Sequence, residues 1–198
     1  MPPLVLASGS RYRARLLREA GIEAEIRRPH FDERSLDEHF EVWGVDRYVV
    51  EVALRKAASI SSEVAPGTVV LAADQAAVVD GRLLTKPGTA ERAVEMLTSM
   101  SGRTHVLVNG VVAVVAPEGP MASAVDRHLI TMASYDVAAA RAYVERFAPL
   151  DCVGAYRIED DAGLIDSVIG SGSDGVIGLP LGVVATLIDR VVAQGTHP

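Results

Sequence analysis

The chain has 198 residues, of which 49% are hydrophobic and 23% charged, as in an ordinary folded globular protein. Acidic residues outnumber basic ones 26 to 19, and the formal net charge of −7 argues against a nucleic-acid partner. A single cysteine, Cys152, excludes a disulfide framework and favours a reducing, cytoplasmic location. No apolar stretch reaches the ~20 residues that span a bilayer, so we expect no membrane partner.

Hydrophobic patterning predicts strands and helices that intermingle along the chain. The predicted strands are residues 4–7, 68–73 with 76–79, 82–84, 105–115, a returning strand through 130, and short strands around 156 and 165. The predicted helices are one after Ser10, one capped by Asp46, one from about 89 to 100, one capped by Asp136 and one from 180 to about 193. Residues 23–45 read as irregular, and residues 170–175 as a Gly/Ser loop. This order predicts an α/β fold with a mixed sheet, in a single domain over residues 1–198.

The first predicted strand ends in Ser8-Gly9-Ser10, directly before a helix. Backbone N–H groups at the positive end of a helix attract phosphate, and Ser8 and Arg13 add a hydroxyl and a guanidinium. A helix N-cap surrounded by solvated arginines gives the same pattern. The segment alone therefore leaves a phosphate site and a structural cap as alternatives.

Asp74 interrupts an apolar run, residues 69–79, and an isolated buried carboxylate costs several kcal/mol unless it is paired or binds a metal ion. It either performs chemistry or satisfies backbone donors at a strand end. Lys56 lies on the apolar side of its predicted helix, where a lysine commonly extends to water. Lys86 follows an Asp-Gly turn in a loop, and Glu33 lies in a run of acidic residues that is typical of a solvated surface.

Taken together, these segments resemble the Maf family of nucleoside triphosphate pyrophosphatases over nearly the whole chain. Small departures lie at the margins of the motifs, such as Arg11 for the usual proline, Thr85 for a glycine and Asn109 for a threonine. The matching segments are 6–17 (LASGSRYRARLL, like the family's LASxSPRRxxLL), 73–75 (ADQ), 80–81 (DG), 86–87 (KP), 96–105 (ML, SG and H), 149–156 (PLDCVGAY) and 170–181 (GS and VIGLPL).

The resemblance implies a fold like that of Maf proteins and inosine triphosphatases, with two lobes around a deep cleft and often a homodimer. It implies hydrolysis of a nucleoside triphosphate to a monophosphate and pyrophosphate, with Mg²⁺ or Mn²⁺. Asp74 and Glu33 are the expected metal ligands and, with Lys56 and Lys86, the expected catalytic groups. In this scheme Asp74 takes a proton from the attacking water, while Arg13, Lys56 and Lys86 form a cationic clamp beside Ser8.

The resemblance also implies base selection by Tyr12, Gln75 and Glu159. The branch of the family that acts on 7-methyl-GTP typically has Trp, Gln and Glu at these positions, whereas the dTTP/UTP branch has Arg, Thr and Gln. Because a methylated guanine is cationic and offers adjacent N–H donors, an aromatic ring and a carboxylate suit it. We therefore expect 7-methyl-GTP as substrate. Hydrolysis of dTTP, UTP or CTP, removal of deaminated purine triphosphates, and nucleotide binding without turnover in cell division are the alternatives.

Overall fold

The computed structural model describes residues 2–195, within which seven strands form one mixed sheet of order β2-β1-β3-β5-β6-β7, with β4 paired to β3. No described helix is long and apolar enough to cross a membrane. The strands are β1 (Leu4–Ala7), β2 (Glu25–Arg27), β3 (Val69–Val79), β4 (Arg82–Leu84), β5 (Thr104–Val115), β6 (Met121–Met132) and β7 (Ile165–Ile169). The α-helices are α1 (Arg11–Glu19), α2 (Phe40–Ser61), α3 (Ala90–Met100), α4 (Val137–Phe147), α5 (Ser173–Ile177) and α6 (Leu181–Gly195).

The sheet combines both strand directions, as the α/β prediction requires. Strand β1 runs parallel to β2 and β3, whereas β3, β5, β6 and β7 pair antiparallel in succession. The long strands β3, β5 and β6 form its centre, and helix α2 packs on one of its faces against β3 and β5. Gly110 of β5 permits this contact, because a Cβ there would collide with the backbone of Val49 in α2.

On the face opposite α2, a polar row crosses the sheet. Gln75 of β3 is paired with Asn109 of β5, which is paired with Asp126 of β6. Apolar side chains of the same strands continue on either side of this row, among them Leu71 towards α1 and α6 and Leu107 towards α3 and α4. Two hydrophobic clusters therefore occupy the two ends of this face, and the polar row separates them.

The structure differs from the sequence-based prediction in several irregular segments. The stretch 23–45 contains β2, a 3₁₀ helix (Glu33–His39) and the start of α2, which kinks at Gly44. Asp46 therefore lies inside α2 instead of capping it. Tyr156 follows a 3₁₀ turn and Glu159 lies in another, so the strand predicted around 156 was wrong. The predicted loop is correct for residues 170–172, whereas residues 173–175 belong to α5. These short elements depend on contacts with the rest of the fold, which local patterning does not report.

Candidate active site

A cleft of about 710 Å³ opens beside the carboxyl end of β1 and the middle of β3. It brings together segments from both halves of the chain, which no local pattern could reveal. Every residue to which the sequence assigned a catalytic, metal-binding or substrate-binding role lines this cleft: Ser8, Tyr12, Arg13, Glu33, Lys56, Asp74, Gln75, Lys86 and Glu159.

The turn between β1 and α1 forms one end of the cleft. Ser8 is buried, and its Oγ accepts a hydrogen bond from the backbone N–H of Ser10 at 3.1 Å. The backbone N–H of Ser8 is also engaged, with Arg27 O at 2.9 Å. Within the described residues, the backbone N–H groups of Gly9, Arg11 and Tyr12 have no acceptor, so these donors remain for a ligand. The turn is thus both a helix cap and a short anion site.

Arg13 ties α1 to the centre of the fold. Its Nε donates to Gly178 O at 2.8 Å, and its Nη1 donates to Ala73 O at 2.7 Å. Burial lowers the pKa of Arg13, and the nearby charges of Asp74 and Glu33 oppose that shift. An arginine remains charged in such surroundings, so Arg13 contributes a fixed positive charge whose Nη2 lacks a partner within residues 2–195.

Lys56 lies at the centre of the site with only 2% of its surface exposed, so the alternative in which it extends to water is excluded. Its ammonium group donates hydrogen bonds to Asp74 Oδ1 at 2.7 Å and to Ala73 O at 3.3 Å, and it forms an ion pair with Glu33 Oε1 at 2.9 Å. Three protein oxygens therefore surround the amine. Lys56 joins the two carboxylates and reaches a phosphate only if it gives up one of them.

Each of these carboxylates keeps one oxygen free of protein partners. Asp74 Oδ2 and Glu33 Oε2 make no hydrogen bond within the described chain, and both side chains line the cleft. Burial by itself would raise the pKa of Glu33, but Lys56, Lys86 and Arg13 outweigh it and lower the pKa. Glu33 is thus held ionised close to Asp74.

The donor chemistry of the Asp74–Glu33 pair suits a metal ion only in part. No group of three or more His, Cys, Asp or Glu side chains converges on a metal position within residues 2–195. Mg²⁺, however, is usually held by one or two carboxylates together with substrate phosphates and water. The free oxygens of Asp74 and Glu33 fit that requirement once a triphosphate supplies the remaining ligands.

Further cations line the cleft, and sequence reasoning missed two of them. Lys86 is exposed, and within the described residues its amine makes no ion pair. Arg28 and Arg34 line the same space, and their side chains likewise have no protein acceptor in the described part of the chain. Arg28 crosses the turn at Gly9, where a Cβ would lie 3.9 Å from Arg28 Cγ. They were missed because isolated arginines in an irregular segment look like solvated surface.

Tyr12, in the first turn of α1, is surrounded by arginines. The guanidinium of Arg11 lies 4.9 Å and that of Arg15 5.9 Å from the ring centroid. The Tyr12 hydroxyl accepts hydrogen bonds from Arg11 at 2.9 Å and from Arg157 at 3.1 Å. Glu159 pairs with Arg15 through one carboxylate oxygen and retains the other. A base that stacks on Tyr12 competes with these cations.

Gln75 extends from β3 towards α5 on the face opposite Asp74. Its Nε2 lies 3.1 Å from each of three acceptors, Asn109 Oδ1, Gly175 O and Val176 O. Its Oε1 has no partner within residues 2–195 and is not among the buried polar atoms that lack one. Gln75 therefore presents its side-chain oxygen to the cleft, while its N–H groups are engaged by protein acceptors.

Comparison with known proteins places this geometry in a family context. The model of the family described as Maf-like protein matches residues 3–191. A 7-methyl-GTP pyrophosphatase of Pseudomonas savastanoi pv. phaseolicola (strain 1448A / Race 6) is 32% identical and covers 98% of both chains. A dTTP/UTP pyrophosphatase of Anaeromyxobacter dehalogenans (strain 2CP-C) is 39% identical over 96% of this chain and 94% of its own. A nucleoside triphosphate pyrophosphatase of Gluconobacter oxydans (strain 621H) is 36% identical over 90% of this chain and 89% of its own.

Proposed function

The chain belongs to the Maf family, and on this premise we propose that it hydrolyses nucleoside triphosphates to a monophosphate and pyrophosphate, with 7-methyl-GTP preferred. The reaction class is that named for its relatives, which are pyrophosphatases. The observation that carries the proposal is the convergence, in one cleft, of an acid pair bridged by Lys56 with cations that have no protein acceptor among the described residues. Positioning and charge neutralisation are what phosphoryl transfer requires.

The reaction is attack of water on the α-phosphorus with pyrophosphate as leaving group. Asp74 Oδ2 accepts the proton of that water, because Oδ1 is committed to Lys56 and Oδ2 is not. Lys86, Arg28 and Arg34 bind the phosphate chain, together with the free backbone donors of the turn after β1. Asp74 and Glu33 are the residues that would hold Mg²⁺ or Mn²⁺, and a bound cation would offset phosphate charge.

The preference for 7-methyl-GTP rests on Gln75 and Glu159, which match that branch of the family, and on the aromatic ring of Tyr12. Glu159 retains one carboxylate oxygen for the N–H donors of guanine. The Tyr12 ring accepts a cationic base when the exposed side chain of Arg11 moves aside. The relatives named for dTTP/UTP make pyrimidine triphosphates the second candidate substrates.

The proposal is tested by release of pyrophosphate from a panel containing 7-methyl-GTP, GTP, dTTP, UTP, CTP, ITP and XTP. We expect the highest kcat/KM for 7-methyl-GTP. We also expect Tyr12→Ala to reduce the advantage of 7-methyl-GTP over GTP, and Glu159→Gln to reduce discrimination against pyrimidines. A wild-type protein that favours dTTP and UTP contradicts the base preference, whereas tight binding without pyrophosphate release contradicts the enzymatic reaction itself.

A further inference from the structure

The polar row described above continues beyond the cleft as a chain of buried hydrogen bonds. Asn109 Nδ2 donates to Asp126 Oδ2 at 3.1 Å and to Gly175 O at 2.8 Å. Asp126 also binds His128 Nε2 at 2.6 Å through Oδ2, and Ser171 Oγ at 2.6 Å through Oδ1. Asn109, Asp126 and His128 are all buried. No step of the proposed hydrolysis uses these three residues.

Donor and acceptor chemistry fixes the direction of every bond in this row. Burial by itself would raise the pKa of Asp126, but hydrogen bonds from Ser171, His128 and Asn109 lower it, so the carboxylate is ionised and accepts only. The Asn109 atom that faces Asp126 and Gly175 O must therefore be its NH₂ group. The side-chain oxygen of Asn109 then faces Gln75, so Gln75 must donate to it through its NH₂ group.

The backbone around α5 imposes the same direction on Gln75. The carbonyl oxygens of Gly175 and Val176 accept only, and both lie 3.1 Å from Gln75 Nε2. This segment is itself fixed to the row, because Asn109 binds Gly175 O and Asp126 binds Ser171 Oγ. A Cβ at Gly175 would overlap His128, so the segment lies directly on the imidazole. Two independent sets of acceptors thus hold the Gln75 amide in one orientation.

We propose that Asn109 and Asp126 are positioning residues that make Gln75 an acceptor-only recognition group, so that a nucleotide must present an N–H or O–H donor to Gln75 Oε1. This rests on the proposed function, since it assumes that the cleft binds a nucleoside triphosphate. A freely rotating glutamine would satisfy donors and acceptors alike. The donor is either the 2-amino group of a guanine base or the 2′-hydroxyl of the sugar.

The test compares kcat/KM for nucleotides that differ by one donor. GTP against ITP removes the 2-amino group of the base, and GTP against dGTP removes the 2′-hydroxyl of the sugar. We expect one of these ratios to be about tenfold in the wild type, as for loss of a buried hydrogen bond. That ratio falls to near one in Gln75→Leu and in Asn109→Leu. The pair that responds identifies the base or the sugar as the source of the donor.

Asp166→Asn, on the neighbouring strand β7 and exposed, is the matched control and keeps the wild-type ratio. If Asn109→Leu does not fold, Ser171→Ala removes one hydroxyl at the surface and lowers the ratio by about threefold. Ratios near one in the wild type, or ratios unchanged in Gln75→Leu and Asn109→Leu, overturn the inference. One further outcome separates the two proposals. If the wild type does not hydrolyse 7-methyl-GTP, but its kcat/KM ratio of GTP to ITP or to dGTP falls to near one in Asn109→Leu, only the proposed preference for 7-methyl-GTP is contradicted.

Discussion

Asp74 and Gln75 are neighbours in β3, yet the two faces on which they lie are built on different principles. On the α2 face, Lys56 forms direct ion pairs with both Asp74 and Glu33. On the opposite face of the sheet, beside α5, Gln75 is held by amide and backbone acceptors. The nearest charge in the polar row is that of Asp126, two strands away. Both residues commit one side-chain atom to the protein and leave one oxygen for the cleft.

This comparison indicates how one strand can place a reacting group on one face of the sheet and a recognition group on the other. A charged oxygen that keeps a free lone pair can take a proton, whereas a neutral oxygen in a fixed orientation can only accept a hydrogen bond. Changes on the Asp74 face should therefore alter the rate for all nucleotides equally. Changes on the Gln75 face, and around Tyr12, should alter the ranking of the nucleotides.

The largest effect is expected from Asp74→Asn, which preserves shape and removes the basic oxygen. We expect kcat to fall by roughly 10² or more for every nucleotide, with little change in binding, since proton transfer is lost and charge in the cleft changes modestly. Steady-state kinetics and calorimetry with the same nucleotides measure the two effects. Asp80→Asn, in the turn after β3, is the control and retains activity. Near-normal turnover in Asp74→Asn would remove this carboxylate from the mechanism.

Lys56→Met tests the charge balance of the α2 face. Without the amine, Asp74 and Glu33 lose their shared partner, and breaking a buried ion pair costs about 3–5 kcal/mol. We expect a lower Tm and a fall of about tenfold or more in kcat for all nucleotides. Arg55→Met, one residue earlier in α2 and exposed, is the control. Unchanged catalysis with a higher Tm would mean that the lysine is dispensable.

The same variant has a defined pH dependence. Burial acts to raise the pKa of Glu33, but Lys56 and the other cations lower it below its ordinary value of 4.5. A carboxylate with a lowered pKa stabilises the fold above its unfolded pKa, and this contribution is lost as pH falls through the folded value. The difference in Tm between wild type and Lys56→Met should therefore shrink below pH 4.5. A difference that grows on acidification contradicts this assignment.

A smaller effect is expected from removing the cations that we propose bind the phosphates. Arg28→Ala and Lys86→Ala each remove a charge that has no protein acceptor in the described chain, so we expect KM to rise by about tenfold with the fold unaffected. The increase should be similar for all nucleotides, because the phosphates are common to them. Arg18→Ala, exposed on α1 and outside the cleft, serves as the control. An unchanged KM in both variants would leave the triphosphate without these contacts.

Much of the regular structure could be predicted because its signals are local. Asp136 begins α4, and the Asp80-Gly81 turn joins β3 to β4, as their sequence patterns indicate. The family resemblance also selected residues that the fold gathers in one cleft. The resemblance did not indicate how these residues bond to one another. Lys56 forms ion pairs with both Glu33 and Asp74 because the fold brings these three residues together.

The polar row illustrates the limit of sequence reasoning most clearly. Asn109 registers only as a departure from the usual threonine, and Asp126 and His128 look like ordinary alternation in a strand. Their link to Gln75 depends on the register of three strands and on α5, a helix too short for periodicity to predict. Such networks become visible only when donors and acceptors are counted in the folded chain.

The smallest predicted effect concerns recognition of the base at Tyr12. Arg11 lies 4.9 Å from the ring centroid and is exposed, so it occupies the position that a cationic base needs. Arg11→Ala removes that competitor and a like charge, and an exposed cation–π contact is worth about 0.5–1 kcal/mol. We therefore expect the kcat/KM ratio of 7-methyl-GTP to GTP to rise by about threefold. Arg18→Ala, on the same helix, leaves the ratio unchanged. A ratio that falls in Arg11→Ala would show that the arginine supports the base and does not compete with it.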